Sequence, residues 1–87
     1  MGVVWTRHAR EKLGLLRVRG WIFSREIVEK AIVKPRWLGR TKLGELAAMV
    51  PAGKGHVLRV IFNRSGDTIK IITVHPARKG RYEAKIQ

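Results

Sequence analysis

Two different spacings of apolar residues divide the chain. In the first third, Ala9, Leu13 and Leu16 recur at intervals of four and three, the spacing that lines up one face of a helix. Thr6 stands ahead of them as a capping residue and Gly20 behind them as a stop, which predicts a helix over 6–18. Ser24 opens a shorter pattern of Ile27, Val28, Ala31 and Ile32 that ends at Lys34-Pro35, because the residue before a proline is pushed out of the helical region. A second helix is expected over 24–33.

Beyond Pro35 the period falls toward two and turn residues punctuate it. Strands are expected over 36–40, 44–50, 56–64 and 67–75, with "PAGKG" and "SG" as turns. A run of helices followed by a run of strands predicts a single α+β domain over 1–87, two N-terminal helices packed on a sheet of three or four antiparallel strands. Taking Ser65-Gly66 as the last hairpin's connection places Arg64 opposite Asp67 and fixes the rest of the register. Leu58, Val60, Phe62, Ile69, Ile71 and Thr73 then face the core; Val57, Arg59, Ile61, Asn63, Thr68, Lys70, Ile72 and Val74 face away. The same register sets Arg59 across from Ile72, Lys70 across from Ile61 and His56 across from His75. A face of cations among aliphatics suits a phosphate backbone or a covering partner, and equally a solvated surface of good strand formers.

Charge changes this picture most. The 87 residues carry 19 Lys and Arg against 6 Asp and Glu, a net +13. Such self-repulsion works against a small compact domain and implies a polyanionic partner, with RNA or the ribosome first among the candidates. The chain has no cysteine, which removes disulfides, thiolate catalysis and cysteine-held metals together. Its apolar runs are too short to span a bilayer and no signal-peptide pattern opens it, so a cytoplasmic protein without membrane contact is expected. Asn63 and Gln87 are the only side-chain amides, a scarcity shared with heat-adapted proteins.

Cleaving RNA without a metal needs a base for the 2′-hydroxyl, an acid for the departing 5′-oxygen and cations for the charge that develops. Histidines serve the first two roles near neutral pH. The histidines are His8, His56 and His75, and the strand end at "TVHPARKGRYE" puts Arg78, Lys79, Arg81 and Tyr82 directly after His75. His75 is the candidate acid or base. His8 lies in the first turn of the first helix, which also carries Arg7, Arg10, Lys12, Arg17 and Arg19 and whose start can lie near the strand ends. "AGKGHV" lacks the spacing of a phosphate-binding loop, and the carboxylates are too scattered for a metal site or a hydrolase triad. No cofactor is implied.

"WTRHAREKL", the Gly-x-x-x-Ser entry to a second helix ending in Lys-Pro, and the meander closing on "TVHP" with a basic-aromatic tail resemble the family called domain of unknown function 4258. That family looks related to the RelE, ParE and BrnT superfamily of toxin-like folds. The resemblance implies a helical hairpin against a twisted antiparallel sheet, with Arg59 and Lys70 matching the sheet cations and Arg78, Arg81 and Tyr82 the C-terminal group around a scissile phosphate. It also implies an acidic antitoxin partner. The expectation is therefore an RNA-directed, metal-independent endoribonuclease in which His75, Arg78 and Tyr82 are catalytic, while Arg59, Lys70, Lys79, Arg81, His8 and Arg10 hold nucleic acid. Two rivals stand beside it: a nonenzymatic basic module for RNA, ribosome or DNA, and a ParE-like toxin that acts through protein contact. The sequence sets no oligomeric state.

Overall fold

The computed structural model describes residues 2–78. Its elements run β1 (Gly2–Trp5), α1 (Arg7–Val18), α2 (Arg25–Val33), β2 (Trp37–Arg40), β3 (Leu46–Pro51), β4 (His56–Ser65) and β5 (Thr68–Arg78). The strands form one sheet in the order β1-β5-β4-β3-β2. The fold is α+β with two helices, as expected, but the sheet is five-stranded and mixed, not an antiparallel sheet of three or four. The added strand is β1, which pairs parallel to β5 from Gly2↔Thr68 to Trp5↔Ile71. Parallel neighbours need a long crossover, and everything from α1 to β4 supplies it. Val3 and Trp5 of β1 reach the same core as Ile69 and Ile71, so the edge strand is held by side chains as well as by its ladder.

Thr6 joins this edge to α1. Its Oγ1 accepts from the Ala9 amide at 3.1 Å, capping the helix, while its hydroxyl donates to the Ile71 carbonyl at 2.8 Å with Ile72 O at 3.2 Å. The Thr6 amide also donates to Ile71 O. Losing a cap costs about 1–2 kcal/mol. Thr6→Ala is expected to lower stability by about that much and Thr6→Ser by less than about 0.5 kcal/mol, because serine keeps the hydroxyl; urea denaturation reads the difference.

At the far end of α1, Gly20 takes φ +95°, and the amides of Gly20 and Trp21 return to the carbonyls of Arg17 and Leu16. This doubly bonded left-handed stop is why the helix ends where the glycine stands. Ser24 Oγ accepts from the Ile27 amide at 3.2 Å to start α2. The two helices cover one face of the sheet. Ala9, Leu13 and Leu16 of α1, and Val28, Ala31 and Ile32 of α2, bury against Leu58, Val60, Phe62, Ile69, Ile71 and Val74. A smaller apolar cluster of Met49, Val57 and Ala77, with Trp37 packed against it, sits on the other face.

The β4–β5 hairpin departs from its expected register. Ser65 pairs with Thr68, so the connection is Gly66-Asp67 and not Ser65-Gly66. Gly66 has φ +57°, and a tight hairpin wants glycine at that first central position. A bulge between Ile61 and Phe62 in the ladder then adds one residue to β5 around Ile72. Val74 enters the core and Thr73 leaves it, the reverse of strict alternation. Lys70 lies across from Asn63, Arg59 across from His75 and His56 across from Arg78, which corrects the expected His56–His75 opposition.

Candidate nucleic-acid interface

The face of the sheet that neither described helix covers, termed the helix-free face, is built from alternate residues of β3, β4 and β5. Toward β2 it is apolar, closed by Trp37, Met49 and Val57. Toward β5 it is mixed, with Ile61 and Ala77 buried beside polar residues. There Arg59 and His75 oppose each other directly, with Met49 as the next residue across the sheet from Arg59. Directly opposed Cβ atoms lie about 5 Å apart, so the guanidinium stem and the imidazole are neighbours by construction. Both residues are half-buried, which limits the rotamers they can take.

Thr73 lies two residues before His75 on the same side of β5, a separation of about 6.6 Å along a strand. His8 meets it there: Nε2 lies 3.1 Å from Thr73 Oγ1. The bond exists because Thr6 ties the start of α1 to the carbonyls of Ile71 and Ile72, which sets the first helical turn beside the bulge. β1 covers β5 only as far as Ile71, and among the described residues no strand pairs with that side of β5 from Ile72 onward. Pro76, which has no amide to give a ladder, is tolerated in that stretch. His8, Thr73, His75 and Arg59 thus gather at one end of the face, and Lys70 stands further along β5 toward the hairpin turn.

The bulge decides this membership. Without the extra residue, alternation from Lys70 would carry Arg78 to the Arg59 face and turn His75 toward the helices; with it, the two exchange places. Arg78 instead pairs with His56, whose ring meets Trp21 edge-on at 5.1 Å and whose Nδ1 lies 3.1 Å from Lys54 O. His56 is a packed residue at the helical side of the sheet. Arg10 is on α1, beside α2 and away from the helix-free face. The structure therefore brings together His75, Arg59 and His8, leaves Lys70 on the same face toward the hairpin turn, opposite Asn63, and does not bring Arg78 or Arg10 to them. Lys79, Arg81 and Tyr82 lie outside the described residues.

Thr73 escaped the sequence reading as a site residue because it was assigned to the core. A signal for the switch was present: the apolar positions run 69, 71, 72 and 74, and a strand in strict alternation would have shown 69, 71 and 73. No helix among the described residues is long and apolar enough to cross a membrane. Comparison with protein-family models, with curated proteins and with solved structures finds no match.

Proposed function

We propose that this chain is an RNA-directed, RelE-like domain that cleaves RNA at the helix-free face of its sheet. The observation that carries the reading is the direct opposition of Arg59 and His75, with a second histidine, His8, held on Thr73 beside them. In this reaction a neutral histidine removes the proton of a ribose 2′-hydroxyl and the 2′-oxygen bonds to phosphorus. The bond from phosphorus to the 5′-oxygen then breaks, and the second histidine, protonated, gives its proton to that oxygen. The products are a 2′,3′-cyclic phosphate and a 5′-hydroxyl end. Arg59 holds the non-bridging oxygens as charge builds on them, and Lys70 carries the flanking backbone. The net +13 supplies the long-range attraction for the strand.

A second reading draws on the placement of Arg78 on the opposite face of β5 from His75: a basic domain that holds RNA or ribosome without cutting it. Incubation of purified protein with end-labelled RNA, with and without ribosomes and EDTA, separates the two. Cleavage that persists in EDTA and leaves cyclic phosphate ends supports the first. RNA that shifts in a gel at low salt but stays whole in every lane supports the second. Inhibition of translation or of gyrase without RNA loss would point to protein contact, and an acidic antitoxin would be sought as the partner that covers this face.

A further inference from the structure

A different part of the molecule also concentrates positive charge. Between α1 and α2 lies a solvent-open cleft of about 240 Å³, lined by Trp5, Arg10, Leu13, Gly14, Arg17 and Arg25. Arg10, Leu13, Gly14 and Arg17 follow the three-and-four spacing of one helical face, so the two α1 arginines flank the opening. Arg25 comes from the first turn of α2, its guanidinium 5.4 Å from the centre of the Trp5 ring. Three arginines from two helices therefore line one small space.

None of the three forms an ion pair with a described carboxylate. Between described residues the one ion pair is Arg7–Glu11. Glu29, the acid best placed to approach Trp5, accepts instead from the indole Nε1 at 2.7 Å and does not line the cleft. The floor is rigid, because Trp5 is buried and held by Glu29. Room is kept by Gly14, an interior helical glycine whose missing Cβ would meet nothing within 4 Å. Packing does not require glycine at this position, and any long side chain would enter the cleft.

We infer that this cleft is a binding site for a phosphate monoester, clasped by Arg10, Arg17 and Arg25. Planar guanidinium forks match phosphate oxygens in pairs, and stacking of Arg25 on Trp5 orients one fork before the ligand arrives. The site lies on the helical layer, apart from Arg59 and His75, and does not depend on RNA cleavage there. The ester can be a free nucleotide or the 5′-phosphate end of a strand.

The test follows the Trp5 indole N–H resonance in ¹⁵N-labelled full-length protein titrated with adenosine 5′-monophosphate at constant ionic strength. A saturable shift is expected, weakened at least tenfold in the Arg17→Gln/Arg25→Gln double variant and lost in Gly14→Leu, while Gly14→Ala and His75→Ala bind as wild type. These arginines are exposed, so the double variant should fold, and its unchanged amide spectrum would establish that. Displacement of the nucleotide by a 5′-phosphorylated oligonucleotide, and not by its 5′-hydroxyl twin, would assign the site to strand ends; retention against both would assign it to free nucleotides. A shift reproduced by chloride, or an affinity unchanged in the double variant, would overturn the inference.

Discussion

Val74→Asp is expected to unfold the domain, and Thr73→Asp one residue earlier to leave it standing. Val74 is fully buried within the core shared by both helices and the sheet. A carboxylate there has no cation to meet on the helical side, and an uncompensated buried charge costs about 3–5 kcal/mol beyond the lost apolar contact. A domain of this length is stable by only about 4–13 kcal/mol in total, so most of that reserve disappears. Thr73 is half-buried beside His8, and aspartate in its place keeps an acceptor 3 to 4 Å or so from an imidazole, a change worth less than about 1 kcal/mol. Urea denaturation followed by circular dichroism reads both. The opposite order, with Thr73→Asp unfolded and Val74→Asp tolerated, would mean that β5 is not bulged. The opposition of Arg59 and His75 would then fail with it.

This pair of substitutions marks the limit of what the sequence alone conveys. The helices are legible because each carries its own punctuation: Thr6 and Gly20 bracket the stripe of Ala9, Leu13 and Leu16, and Ser24 and Pro35 bracket the second. β2 to β4 are legible because turns with Gly44, Gly53 and Gly55 at positive φ separate them. β1 is not, because Gly2–Trp5 is four residues long and its partner is some sixty-six positions away; no local pattern reports a parallel pairing of that reach. The hairpin register differs by two from the one that Ser65-Gly66 implies, since the glycine takes the first central position and not the second. That difference left the core face of β4 correct, for the shift was even, and the bulge alone then reversed β5 from Thr73 onward. Residue types thus suggest a histidine and arginine candidate site, while which residues share one face depends on a one-residue insertion that composition cannot weigh.

The same exchange of faces orders the expected effects of substitution on RNA cleavage. Under the proposed function His75 is a proton-transfer group, and His75→Ala is expected to slow cleavage about 10²–10⁴-fold, with RNA binding changed far less. Arg59→Gln removes the cation opposite it and is expected to cost about 10²–10³-fold, the loss seen when one donor to a developing negative charge is deleted. Arg78→Ala, despite standing three residues from His75 in the sequence, should change the rate by less than about tenfold, through the general charge it adds for the strand. Because Arg59 is half-buried, the variants are compared at matched folded fraction from their denaturation curves. His8→Ala combined with His75→Ala closes the argument. If the two histidines act as base and acid on one phosphate, the double variant loses little more than the worse single one, since groups that act as a unit are not additive. A His8→Ala single variant that cleaves at the wild-type rate would instead put His8 outside the reaction, as a partner of Thr73 alone. A rate as sensitive to Arg78 as to Arg59 would place the scissile phosphate at the strand's end and not on the helix-free face.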